Sequence, residues 1–126
     1  MSAIDRMLAE ARAELDRVEP QDVPAEVDAG AVLVDIRPAE NRVSEGPMPG
    51  AIVVERIHLE WRLDPTSPDR LDFAAPDLRV IIVCNEGYSS SLAAHSLQKL
   101  GVSRATDLVG GYRAWQAFDS SVVTDL

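Results

Sequence analysis

Cysteine is almost missing from these 126 residues: Cys84 stands alone. One thiol cannot form an internal disulfide, a Cys-x-x-Cys redox pair or a thiolate zinc cluster. The only two histidines, His58 and His95, lie too far apart for a helical two-histidine motif, so no metal is expected. Basic residues are also few, 12 Lys and Arg against 21 Asp and Glu, for a net charge of −9 without a basic cluster. Nucleic-acid affinity rests mainly on Lys and Arg neutralising phosphates, which excludes nucleic acid as an expected partner. No apolar run approaches the roughly 20 residues of a membrane span, and the first fifteen residues are too charged for a signal-peptide core. The expectation is a protein of the cytoplasm with no membrane partner. What remains is globular: 46% apolar and 26% charged residues, with eight prolines and seven glycines dispersed, at the length of one domain.

Periodicity predicts the elements. Ile4, Met7, Leu8, Ala11, Leu15 and Val18 keep helical spacing among charged neighbours, which predicts an amphipathic helix over residues 2–17. Such a helix packs on the domain or serves a homodimer, so monomer and homodimer both stand. Pro20 and Pro24 punctuate a link, and residues 25–28 suit a brief helix closed by Gly30. Residues 31–36 (AVLVDI), 51–54, 79–84 (RVIIVC) and 105–109 read as strands, the third most strongly. Between them, residues 37–50 are mostly loop with a helical turn at 39–43, residues 56–63 form a short helix, and 64–77 are a polar surface connection. Residues 89–100 make a helix capped by serines and ended by Gly101. After the Gly110-Gly111 turn, a last short helix carries Tyr112, Trp115 and Phe118. Alternating strands and helices indicate an α/β layer structure around a mostly parallel sheet.

Chemistry concentrates after the third strand. Ligands gather at the carboxyl ends of strands in such sheets, and Cys84 occupies that position, followed by Asn85-Glu86-Gly87-Tyr88-Ser89 and a helix. A loop of this length can curl so that successive N–H groups point at one anionic atom, with Gly87 supplying the backbone freedom. A nest of this kind favours thiolate, the nucleophilic form, over thiol.

At this loop the chain resembles the rhodanese-like sulfurtransferases. Their pattern is Cys-x-x-Gly-x-Arg-Ser, where this chain reads Cys84-Asn85-Glu86-Gly87-Tyr88-Ser89-Ser90. Leu33-Val34-Asp35-Ile36-Arg37 is similar to the family's Asp-x-Arg strand end. Gly46-Pro47-Met48-Pro49-Gly50-Ala51 is similar to its Gly-His-Ile-Pro-Gly-Ala segment, with Pro47 in place of His. Ala93-Ala94, Leu97 and Gly101 match the helix after the loop, and Leu108-Val109-Gly110-Gly111 with Ala114-Trp115 match the closing Leu-x-Gly-Gly-x-x-Ala-Trp. The resemblance runs from about 18 to 118. It implies a rhodanese-like three-layer fold, a mostly parallel sheet flanked by helices, over residues 18–120, after the helix at 1–17 and before a polar tail at 121–126.

The resemblance also implies a sulfur relay without metal or organic cofactor. Cys84 would be the nucleophile and persulfide carrier, and amides from Asn85 to Ser90 the cradle. A small donor such as thiosulfate or another persulfide would supply the sulfur. A thiol, a cyanide-like acceptor or a partner protein would take it. Asp35 and Arg37 are expected to pair structurally, while Arg37, Arg42 and Arg62 are the candidate substrate cations. Ser89 replaces the family's loop arginine, and Glu86 adds a carboxylate. At ~8 Å and an effective dielectric near 20, that carboxylate opposes a negative sulfur by roughly 2 kcal/mol, as much as a helix N-terminus supplies at best. Unless Glu86 points into water, thiosulfate is then a poor donor. The alternative is a catalytically weak or inactive rhodanese-like binding module. A phosphatase on this fold would need a longer Cys-x5-Arg loop whose arginine clamps the oxyanion. Tyr88 is expected at the pocket mouth, Trp61 and Trp115 in core or pocket wall, and the histidines in structural or exposed roles.

Overall fold

The computed structural model describes the backbone of residues 1–124 and the side chains of 1–120. Among the described residues, ten helices and strands follow one another: α1 (Ala3–Ala13), α2 (Val23–Asp28), β1 (Val32–Asp35), α3 (Ala39–Glu45), β2 (Ile52–Val53), α4 (Leu59–Leu63), β3 (Val80–Val83), α5 (Ser89–Lys99), β4 (Thr106–Asp107) and α6 (Gly111–Thr124). Single 3-10 turns precede α2 and α4, at Pro20–Asp22 and Arg56–His58. The four strands form one parallel sheet in the order β2-β1-β3-β4.

Strand β3 explains why the sheet is central. All four of its residues are buried, and they alternate between two apolar clusters. Val80 and Ile82 pack with Val34, with Leu59 and Leu63 of α4, and with Ala93, Ala94 and Leu97 of α5. Ile81 and Val83 pack with Leu33, Val23, Leu108 and Tyr112. A continuous apolar strand is what a sheet covered on both faces requires, and the layers are helix, sheet, helix.

Several expectations change under tertiary contact. Helix α1 begins with a reciprocal cap between Ser2 and Asp5 but ends at Ala13, short of residue 17. The chain leaves the helix so that Val18 pairs with Leu108 alongside β4, donating to Asp107 and accepting from Val109. Leu15 and Val18 match the helical period, yet they are buried by that exit, one in each cluster. The 64–77 segment is more than a surface connection, because Ser67 and Ala74 are buried and Leu71 and Phe73 pack against the core. Helix α6 extends through Thr124 where a tail was expected from 121; residues 125 and 126 lie outside the described residues. Trp61 stands 51% exposed, bonded through Nε1 to Asp69 on the wall of a surface cavity, whereas Trp115 packs against the second cluster. No helix among the described residues is long and apolar enough to cross a membrane.

Candidate active site

Parallel strands bring all their carboxyl ends to one edge, and there the buried strand β3 delivers Cys84. Cys84 is 5% exposed, at the floor of a cavity of about 340 Å³ lined by Cys84, Asn85, Glu86, Tyr88 and Ser89. The chain turns back on itself so that the Gly87 N–H donates to Cys84 Sγ at 3.1 Å. Gly87 adopts φ +78°, and a Cβ there would lie 2.6 Å from the Gly110 nitrogen, so both its conformation and its packing require glycine. The N–H groups of Asn85, Glu86 and Tyr88 have no acceptor among the described residues. A sulfur that gains negative charge therefore meets a loop whose donors no other group occupies.

The Gly110-Gly111 turn braces this loop from behind. Tyr112 N–H donates to the Cys84 carbonyl at 2.8 Å and Arg113 N–H to that of Asn85 at 3.1 Å. A Cβ on Gly111 would come within 2.5 Å of the Cys84 carbonyl oxygen. The closing glycine pair and the cysteine loop, 26 residues apart in sequence, are therefore one unit in space.

Arg37 corrects its candidacy as a substrate cation. Its side chain is fully buried, paired with Asp35 through Nη2–Oδ2 at 2.8 Å and Nε–Oδ1 at 3.0 Å. It also donates to the Gly46 carbonyl and lies 4.0 Å from the Tyr112 ring centroid. The expected structural role of the Asp35-Arg37 pair is what the geometry displays, a tie between the β1 end and the loop after α3. Arg42 donates to the Arg37 carbonyl and approaches Glu55 at 3.9 Å. Arg62 lies against Trp61 in a separate cavity of about 310 Å³ beside β2. None of the three lines the Cys84 cavity. Ser89 is exposed at the cavity, but the Ser90 hydroxyl turns inward to donate to Asp107 at 2.7 Å. Tyr88 is half-exposed and lines the same cavity.

The sequence pattern singles out Glu86 but not Arg113 and Glu45, which set the mouth's charge with it. Glu86 is 66% exposed and accepts from Arg113 Nη1 at 2.9 Å, so it points outward and is partnered. Arg113 Nε also holds Glu45 at 2.9 Å, and Glu45 accepts from Asn85 Nδ2 at 2.9 Å. The Arg113 bond first, and the Asn85 bond second, hold the Glu45 carboxyl well below the usual carboxylate range, at about 2. Asn85 Oδ1 is buried and unpartnered beside the cavity. Arg113 did carry a signal: an arginine in the first turn of a helix opposes the helix dipole, which favours a partner elsewhere. Glu45 carried none, being one acid among many on a short helix.

With this geometry in view, comparisons with known proteins are informative. A family model of the rhodanese-like domain matches residues 19–118. A thiosulfate sulfurtransferase GlpE of Pseudomonas savastanoi pv. phaseolicola is 31% identical over 104 residues, covering 82% of this chain and 90% of that protein. The protein of the same description from Stutzerimonas stutzeri is 32% identical over 103 residues, covering 82% and 86%. Among solved structures, a Rhodopseudomonas palustris protein of unknown function, described as a possible tyrosine phosphatase, superposes with a TM-score of 0.83 at 30% identity, covering 94% of this chain and 92% of that one. A rhodanese homologue from Thermus thermophilus gives 0.58 at 28% identity, covering 78% and 98%.

Proposed function

The chain belongs to the rhodanese-like domain family, and we propose that it is a sulfurtransferase that carries sulfane sulfur as a persulfide on Cys84. The observation that carries this reading is a buried sulfur that already accepts from the Gly87 N–H, in a loop where three further N–H groups have no acceptor among the described residues. In the first half-reaction the Cys84 thiolate attacks the outer sulfur of a donor. The new S–S bond forms as the donor's own breaks, and the donor's electron pair leaves with it, as sulfite when the donor is thiosulfate. In the second, a thiolate or cyanide-like acceptor attacks the outer sulfur and the Cys84 thiolate departs. Charge is conserved in each step, and the sulfur that the Gly87 N–H meets is negative in both resting forms. With no second cysteine in the chain, turnover relies on an external acceptor. A thiol that must return to its reduced form suits the cytoplasm.

The mouth favours neutral or protein-borne persulfide donors over thiosulfate. Arg113 is shared by two carboxylates, and no arginine among the described residues lines the cavity to receive a dianion. The same lack of a clamping arginine opposes phosphatase chemistry on this loop. It is also what would favour the alternative of a rhodanese-like binding module without turnover.

Intact-mass spectrometry decides. The reduced protein should gain one sulfur, about 32 Da, after incubation with an organic persulfide and less readily with thiosulfate, and Cys84→Ser should gain none. No gain from either donor in folded protein would leave the binding module.

A further inference from the structure

Two side chains that precede the matched family region reach the active-site loop. Arg12, on α1, donates from Nη2 to the Gly87 carbonyl at 2.9 Å and from Nε to Ser91 Oγ at 3.0 Å. Arg17, in the segment after α1, donates from Nη2 to the same carbonyl at 3.1 Å. It also forms a two-pronged pair with Asp107, Nε–Oδ1 at 2.8 Å and Nη2–Oδ2 at 3.1 Å. Asp107 is fully buried and accepts from Ser90 Oγ at 2.7 Å and Ser91 Oγ at 2.8 Å. A carbonyl oxygen has two lone pairs, and here a guanidinium donates to each.

We propose that Arg12 and Arg17 are positioning residues of the active site, supplied by the segment before the family domain. A trans peptide is planar, with its C=O and the following N–H pointing in opposite directions. Pinning the Gly87 oxygen toward the arginines therefore fixes the Tyr88 N–H on the other side of the plane. Gly87 is also the residue at which this peptide rotates most freely, and its own N–H is the one already on Sγ. Unpinned, the peptide can turn and offer the sulfur a carbonyl acceptor in place of a donor. With Arg17 balanced by Asp107, Arg12 also brings one net positive charge to a loop that has Ser89 where the resembling pattern has arginine. The task of the two arginines is thus to hold the cradle in its donating form from behind, without touching substrate.

The consequence for turnover rests on the sulfur-carrier reading, so the test reads the sulfur itself. Alkylation of Cys84 by iodoacetamide is followed against pH in the full chain for the unaltered protein, Arg12→Met, Arg17→Met, Arg12→Lys and Arg79→Met. Arg79 pairs with Glu26 and Asp16 ahead of β3, at the opposite end of the sheet, and reports destabilisation alone. Arg12→Met and Arg17→Met should each slow alkylation at neutral pH by about fivefold, with the loss shrinking as pH rises. Arg12→Lys should restore most of the rate, and Arg79→Met should lower Tm without altering the profile. An unchanged profile in folded Arg12→Met, or a loss matched by Arg79→Met, overturns the proposal. Should Arg17→Met not fold because Asp107 is left unpaired, Arg12→Met decides alone, its partners being uncharged. Altered alkylation in a protein that takes up no sulfur from any donor would uphold the positioning role and reject the sulfur-carrier reading.

Discussion

The Cys84 loop has two flanks, each built on arginine–carboxylate pairs, with opposite consequences. At its base, Arg12 and Arg17 donate to the Gly87 carbonyl, and the fully buried Asp107 ties Arg17 to the Ser90 and Ser91 hydroxyls. At its mouth, Arg113, 53% exposed, spans Glu45 and Glu86. Removing one member of a desolvated cluster strands its partners without water, whereas water replaces a lost partner at the surface. The base is therefore a scaffold and the mouth a tuner: breaking the first should cost folding and chemistry together, breaking the second only preference.

The largest effect should come from Asp107→Ala, which strands Arg17 and two inward-facing serines. A loss of about 3 kcal/mol is expected from a disrupted buried pair, read as a lower urea midpoint. A value near zero would mean that the base is no more than a surface cluster. Gly87→Ala comes next. Its positive φ and the 2.6 Å approach to the Gly110 nitrogen force the loop to shift, costing about 2 kcal/mol, with sulfur uptake and alkylation of Cys84 both reduced more than tenfold. Retention of full alkylation would show that the Gly87 N–H is not needed at the sulfur.

The mouth should answer more quietly. Glu86→Gln removes one exposed charge and should raise sulfur uptake from thiosulfate by about threefold, leave uptake from a neutral persulfide unchanged and lose its advantage in high salt. Equal gains with both donors would argue against a charge effect. The smallest effect concerns pH. Glu45 is held at about 2 against an ordinary 4.5, chiefly by Arg113 and then Asn85, so the fold favours its ionised form. Its contribution is complete above about pH 4.5 and is lost as pH falls toward 2. Glu45→Gln should flatten that stretch of an acid titration of the urea midpoint; an unaltered acid limb would mean that the mouth contributes nothing to stability.

Particular residues show where reading the chain succeeds. Val80 to Val83 announce a doubly covered strand, because neither face of such a run can meet water, and Cys84 follows at the edge where ligands gather. The turn signals at Gly46, Gly87, Gly101 and Gly110 all fall at positive φ. The 64–77 segment misleads: a proline-rich polar stretch sends Leu71 and Phe73 inward. The candidate arginines fail for different reasons: Arg37 is captured by Asp35, Arg42 turns to the Arg37 carbonyl and Glu55, and Arg62 lies against Trp61. A cation's place in sequence says nothing of which partner the fold brings to it, and Arg37 is buried against Asp35 and the Gly46 carbonyl.

Local pattern determined the layered α/β fold, the candidate nucleophile and its loop, since each depends on residues within a few positions of one another: a β-branched run, a thiol at its end, a glycine that permits the turn. Tertiary structure alone decided the electrostatics around the sulfur. Arg12 reaches Gly87 across 75 residues, Arg17 reaches Asp107 across 90, and Arg113 reaches Glu45 across 68. Periodicity encodes which face of an element is buried, but charge partners across that distance are fixed only when packing brings the elements together and removes the water between them.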